Sequence, residues 1–260
     1  MATKLNLAPL SPQQCQVLAN ALEDTPQTVI SISQLRRGLA RAYVVGDPAN
    51  FQAAVVEDLG SPGEPMVFGR DALLLADLLP AISGWFCVNV SLAIAPALGP
   101  LLAERMGRSI RYYGDVYHTL TEPVANVTNP AVRQLTLSDL PLLEAAPPEI
   151  RGLDPRRLLT EMTAASAIID SQIVALAINY ARSAGYADIG VQTLPQWRKR
   201  GLATAAAAIV ARTMQASGRT PVWSCGEDNQ ASLRVAQKLG FRKVSRRTYI
   251  ILNDEATGVK

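Results

Sequence analysis

The sequence predicts an α/β protein with mixed sheets, organised as two units. Three observations support this. Short β-rich runs alternate with runs of helical periodicity along most of the chain. The stretch Thr119–Pro130 (TLTEPVANVTNP) has no periodicity and carries two prolines, which sets a boundary between a unit at 1–125 and one at 131–252. With 260 residues and 48% hydrophobic content, the chain can fill two cores of ordinary size.

Ser11–Leu22 reads as a helix, with Ser11 as its cap, Pro12 at its first position and apolar Val17, Leu18 and Leu22. Arg41–Val45 and Phe51–Val56 are β-rich runs around Gly46-Asp47-Pro48-Ala49-Asn50, a hairpin signal. Pro65–Phe68 is a short third strand. Asp71 caps an apolar helix over Ala72–Leu79 that Pro80 ends. Trp85–Val90 is a strand, Pro96–Met106 a helix closed by Gly107, and Ser109–Tyr117 a strand. After the boundary, Val132–Leu135 is a strand and Ser138 caps a helix beginning near Asp139. Ala146–Pro155 is a proline-rich loop and Arg156–Thr163 is helical. Ala167–Ile169 and Ile173–Tyr180 form a hairpin around Asp170-Ser171. Pro221–Cys225 is a strand, Asn229 starts a helix that stops at Gly240, and Lys243–Leu252 is a final strand or strand pair. The tail Asn253–Lys260 is expected to fray.

The chemically informative stretch is Tyr186–Ser217 (YADIGVQTLPQWRKRGLATAAAAIVARTMQAS). Ala187–Thr193 reads as a strand, Pro195 breaks it, and Arg198-Lys199-Arg200 leads into Gly201 and an alanine-rich helix from Leu202. A helix N-terminus exposes unpaired N–H groups and a partial positive charge. Three cations and a residue without Cβ at that point form a cradle for a phosphate-bearing ligand. Gly190, inside the strand, suggests a bulge that would part it from its neighbour.

Composition narrows the classes. A net charge of +3 does not by itself indicate nucleic acid, because nucleic-acid binders concentrate basic residues over one face. Cys15, Cys87 and Cys225 are odd in number and lack a CxxC pair, against a disulfide framework or structural zinc. The one histidine, His118, excludes a multi-histidine metal site. The start MATKLNLAPLSPQQ has no apolar signal-type run, and the uncharged run Trp85–Ala103 is interrupted by Asn89, Pro96, Gly99 and Pro100. A soluble, cytoplasmic protein without membrane or nucleic-acid partners is the expectation.

These residues resemble the GNAT superfamily of acyl-coenzyme A-dependent N-acyltransferases over about 131–252. Arg198-Lys199-Arg200-Gly201-Leu202-Ala203 fits the family's pyrophosphate motif, R/Q-x-x-G-x-G/A. Val132–Leu135 with Asp139 is similar to its first strand and helix, and Asn229–Ser232 followed by Leu239-Gly240-Phe241 to its second motif. The resemblance implies a GNAT-like fold with an additional N-terminal α/β domain, itself a degenerate GNAT-like candidate. It implies acetyl-coenzyme A as acyl donor and a small-molecule or peptide amine as acceptor, and it admits a homodimer. Arg198 to Ala203 would hold the pyrophosphate, and Val191 and Thr193 would offer backbone groups to the pantetheine arm. Asn229 and Ser232 would contact that arm as well, although Asn229 also reads as a plain helix cap. Val191 N–H is the candidate oxyanion donor and Asp188 the candidate general base, with Glu161 and Glu227 as more distant choices.

One departure stands out. Many members place a tyrosine seven residues after the motif asparagine as general acid; this chain has Ala236 there. Tyr249 or water is a substitute, and a thiol with a pKa near 8.5 leaves as thiolate with little help. A non-catalytic acyl-coenzyme A sensor is therefore the alternative reading. A nucleic-acid-associated protein using the basic residues is a further one, against which the sparse aromatics argue.

Overall fold

The computed structural model describes residues 8–152 and 154–253. The expectation for the tail beyond Asn253 lies outside the described residues. In chain order the first elements are α1 (Pro12–Ala21), α2 (Val29–Arg37), β1 (Ala40–Asp47), β2 (Asn50–Asp58), β3 (Met66–Gly69), α3 (Ala72–Leu78), β4 (Cys87–Val90), α4 (Ala95–Met106) and β5 (Ile110–Thr119). They are followed by β6 (Val132–Gln134), α5 (Leu140–Glu144), α6 (Pro148–Arg151), α7 (Pro155–Glu161), β7 (Ala164–Ile169), β8 (Gln172–Arg182), β9 (Tyr186–Thr193), α8 (Leu202–Ala216), β10 (Thr220–Gly226), α9 (Gln230–Leu239) and β11 (Arg242–Leu252). The chain divides into two compact units. The first holds residues to Val116, Gly226–Asp228 and Ser245 onward; the second holds Tyr117–Cys225 and Asn229–Val244. Among the described residues no helix is long and apolar enough to cross a membrane.

In the first unit the strand order is β1-β2-β3-β4-β11-β5. The β1–β2 hairpin is antiparallel, β3 adds antiparallel to β2, and β4 runs parallel to β3 after the α3 crossover. Alternation along β2 serves two cores: Ala53 and Val55 join the cluster of α3 and α4, while Ala54 and Val56 join that of α1 and α2. Ser11 and Gln14 close the predicted start of α1 as a capping box. Helix α2 is absent from the sequence reading. Its VISISQLRR run is rich in β-branched residues, and burial of Ser31, Ser33 and Gln34 beside Ile32 and Leu35 blurs the polar face that a periodicity search needs.

The second unit repeats that connectivity. β7 and β8 form an antiparallel hairpin, β9 adds antiparallel to β8, and β10 runs parallel to β9 after the α8 crossover, giving the order β10-β9-β8-β7-β6. The hairpin turns where predicted, with positive φ at Asp170 (50°) and Ser171 (59°). Ala165, Ala177 and Ala187 on the strands meet Ala206, Ala207 and Ala208 of α8, so small side chains on both surfaces let helix and sheet approach closely. Leu143, Ile150 and Leu158 of α5–α7 cover the other face with Val174 and Leu176.

Two local expectations change. Residues 146–155 are not all loop, since α6 forms at Pro148–Arg151 with Ile150 buried beneath it. Ser138 is not the cap either. Asp139 accepts from the Thr136 N–H at 2.8 Å and from the Arg133 guanidinium at 2.6 and 2.9 Å. The Arg133 hydrogen bond in the first place, with the Thr136 N–H helping, holds the Asp139 carboxyl down at about 2. The depressed value means the ionised form stabilises the fold. Replacing Asp139 with Ala is expected to lower stability by about 1–2 kcal/mol, as for a lost cap. That difference should be present above pH ~4 and vanish as pH falls through about 2, which urea unfolding of both proteins at several pH values would measure.

Candidate functional site

The site is built where β9 and β10 part. Their parallel register runs Thr220↔Tyr186, Pro221↔Ala187 and Val222↔Asp188 and stops there, although β9 continues to Thr193 and β10 to Gly226. The Leu194 N–H donates to Val174 O at 3.0 Å. Antiparallel alternation then assigns the even-numbered peptide groups of this stretch to β8 and turns the N–H and C=O of Val191 and Thr193 toward the β10 side, beyond the last paired residue. The Arg198 guanidinium accordingly reaches Thr193 O at 3.2 Å. The edge of a parted strand is thus available at the two residues singled out from sequence.

The bulge is not at Gly190. Gly190 stays in register opposite Ile178, and the irregularity falls on β8 between Asn179 and Ala181, with Tyr180 as the extra residue. A Cβ added at Gly190 would lie 3.7 Å from the Tyr180 Cβ, an ordinary contact, so Gly190 does not itself open the slot. The parting follows from the crossover: α8 begins close after β9 ends, and the Pro195–Trp197 turn carries the chain off the sheet.

At the start of α8, Lys199 (φ 63°) and Gly201 (φ 76°) both adopt left-handed backbone. No side chain caps the helix at Gly201, and nothing lies within 4 Å of where a Cβ on Gly201 would point. The first-turn N–H groups of Leu202, Ala203 and Thr204 precede the first intrahelical bond, which is Ala205 N–H to Gly201 O at 3.0 Å. Arg198, Lys199 and Arg200 are exposed around this opening, and the Arg200 guanidinium sits 4.6 Å from the Trp197 ring centre. Geometry and charge fit a diphosphate.

The equivalent turn in the first unit is chemically opposite. There the Asp71 carboxylate accepts from Leu73 N–H at 2.9 Å and Leu74 N–H at 3.1 Å, filling the N-terminus of α3 with a fixed negative charge. The opening between β3 and β4, joined only through Met66↔Asn89, is bridged as well. Buried Arg247 donates to Val67 O at 2.9 Å, to Asn89 O at 3.2 Å and to Asn89 Oδ1 at 2.5 Å. Neither group was visible as a plug in the sequence, because Arg247 reaches β3 from a strand 180 residues downstream.

The remaining candidates are placed as follows. Asn229 Oδ1 caps α9 by accepting from Ser232 N–H at 3.1 Å, while Ser232 Oγ accepts from Trp223 Nε1 at 2.8 Å. Asp188 is buried, and Ser224 Oγ donates to its Oδ2 at 2.9 Å. Glu161 pairs with Arg157 at 2.8 Å. Glu227 lies in the first unit with Arg246, 2.7 Å away. Tyr249 also lies in the first unit, cross-strand from Asn89, and burial above all raises its pKa. Burial first, then Lys243, lowers the pKa of His118, outweighing a hydrogen bond at the Trp223 backbone. Ala236, at the tyrosine position of the motif, is 1% exposed and packs in the core of α8, α9 and Trp223. Ser224 was missed because nothing in the sequence ties it to Asp188; the two meet only through the β9–β10 register.

Residues 164–251 match the family model of GNAT acetyltransferases. No curated protein matches the sequence. Among solved structures, the fold is similar to a GCN5-related N-acetyltransferase-like protein from Streptococcus suis, at 18% identity over 93% of this chain and 99% of that one, with a TM-score of 0.67. It is similar to a GCN5-related N-acetyltransferase from Kribbella flavida, at 14% identity over 94% and 97%, TM-score 0.60. A tandem GNAT protein from the clavulanic acid biosynthesis pathway aligns at 14% identity over 94% and 97%, TM-score 0.57. The matched segment contains β9, the Gly201 turn and α9, and the fold around it is similar to that of GNAT proteins, which supports a GNAT superfamily assignment.

Proposed function

We propose that the second unit binds acetyl-coenzyme A and transfers its acetyl group to an amine by direct attack on the thioester. The observation that carries this is the coincidence of two openings at the ends of one strand–helix crossover. One is the parted edge of β9 beyond Asp188, and the other is the uncapped, cation-ringed start of α8 at Gly201. A pyrophosphate would lie on the N–H groups from Gly201 to Ala203, with Arg198, Lys199 and Arg200 neutralising its charge. The pantetheine arm would pair with Val191 and Thr193 as an added strand. Val191 N–H would then face the thioester carbonyl, where a fixed donor stabilises the oxyanion that forms. Asn229 acts mainly through α9, whose start it caps, and Ser232 through Trp223. Asp188 is the base. Cys15, Cys87 and Cys225 form no disulfide, which suits a cytoplasmic enzyme. A small-molecule or peptide amine is the acceptor.

The first unit is read as a silent GNAT-like domain, because Asp71 and Arg247 occupy the two places a cofactor would use. Calorimetry is expected to find one coenzyme A per chain, and thiol release should follow when an amine panel is added with acetyl-coenzyme A. Two equivalents bound would refute the silent unit, and none bound would refute the transferase reading. A second reading, acyl-coenzyme A sensing without turnover, is favoured by one observation: the position of the usual tyrosine acid is a core alanine. Saturable binding with no thiol release from any amine would select it.

A further inference from the structure

We infer that Ser224 is a further catalytic residue of this site, relaying a proton from the acceptor amine to Asp188; this rests on the transferase reading above. Strand alternation fixes the placement. Trp223 packs into the α8–α9 core and Cys225 packs against it, so Ser224 points to the opposite face of β10. Ala187, Ile189 and Val191 likewise lie on the α8 side, which sends Asp188 to the same opposite face as Ser224. Ser224 is the second residue of β10 beyond the last paired position, Val222↔Asp188, and is half-buried, while Asp188 is 4% exposed. The 2.9 Å bond from Ser224 Oγ to Asp188 Oδ2 joins them. The β8 bulge sits beside this pair, where Asn179 faces Ile189 and Ala181 faces Asp188. It places half-buried Tyr180 next to half-buried Gly190 on the approach.

A buried carboxylate reached through a half-buried hydroxyl suits a primary ammonium as acceptor. The ammonium gives one proton to Ser224 Oγ as the Ser224 hydroxyl proton passes to Asp188, leaving a neutral amine and a carboxylic acid. The amine nitrogen then forms its bond to the carbonyl carbon and the C–S bond breaks, with its electron pair going to sulfur. The second nitrogen proton ends on the departing thiolate, and Asp188 returns its proton to water. A serine hydroxyl between carboxylate and substrate also explains how a base with so little exposure can act.

The test uses the full chain with acetyl-coenzyme A and three probes (ethylamine, benzylamine and spermidine), following thiol release, with coenzyme A affinity measured in parallel by calorimetry. Asp188→Asn is expected to lower kcat by about 10²–10⁴-fold and Ser224→Ala by about 10²-fold, both with coenzyme A affinity unchanged. Ser224→Thr, which keeps a hydroxyl, should stay within about tenfold of the parent. A structural role for Ser224 would not single out the hydroxyl in this way. Full activity in Ser224→Ala would overturn the relay while leaving the transferase reading standing. Equal losses in Ser224→Ala and Ser224→Thr, with weakened coenzyme A binding, would also overturn it. Binding of coenzyme A without release from any probe in the parent protein would overturn both. Should Asp188→Asn fail to fold, the two Ser224 variants decide the matter alone.

Discussion

Gly201→Glu is expected to abolish coenzyme A binding while the protein stays folded. Two effects add. Gly201 holds φ at 76°, a conformation that costs a residue with a Cβ about 1–2 kcal/mol. The new carboxylate would also project into the space now open before the first turn of α8 and take over the N–H groups and cations that a diphosphate would use. Losing even two charge-assisted hydrogen bonds at about 1.5–3 kcal/mol each lowers affinity by at least about 100-fold. Gly201→Ala separates the contributions: it carries the backbone strain without the charge and should lose far less affinity. The measurement is calorimetric titration with coenzyme A, with circular dichroism as the check on folding. Unchanged affinity in Gly201→Glu would remove the physical basis of the assignment. The first unit carries the analogous arrangement, since Asp71 places a carboxylate on the corresponding helix start.

Arg247→Ala is expected to have the largest effect on stability, about 3–5 kcal/mol. The guanidinium is buried, with 4% of the residue exposed, and holds Asn89 Oδ1, Asn89 O and Val67 O while lying 5.4 Å from the Phe68 ring centre. Its removal leaves several buried acceptors without donors and a void between β3, β4 and β11. The partly compensating change is Arg247→Lys, which keeps the charge but not the planar fork that serves two strands at once. Urea unfolding of the three proteins would rank them parent, Lys, Ala. A loss under about 1 kcal/mol in Arg247→Ala would mean that water satisfies those oxygens and that the plug is incidental. For a domain whose net stability is roughly 5–15 kcal/mol, the expected loss is a large share.

Several features could be read before any coordinates. The caps at Ser11 and Asp71, the stops at Gly107 and Gly240 and the turn at Asp170-Ser171 are local chemistry, set by residues within about four positions of one another. The Arg198–Ala203 turn and the helix start after it were legible for the same reason. Their components (a broken strand, cations, a glycine and an alanine-rich helix) are contiguous. Helix α2 was not, because buried serines mask its period. The helix start was misread at Ser138, since Thr136, Ser138 and Asp139 all fit such a start and the Thr136–Asp139 capping box and the Arg133 contact choose among them.

The sequence by itself determined the type of fold and the open, cation-flanked turn at the start of α8, because both follow from propensities and charges that act over a few neighbouring residues. Tertiary structure alone decided which strand carries the bulge and where the parallel pairing ends. It also decided that Asp188 meets Ser224 and that Arg247 and Asp71 close the first unit's equivalent openings. Those facts depend on register and on side chains arriving from strands tens to hundreds of residues away, and a shift of one residue in a strand sends each such side chain to the other face.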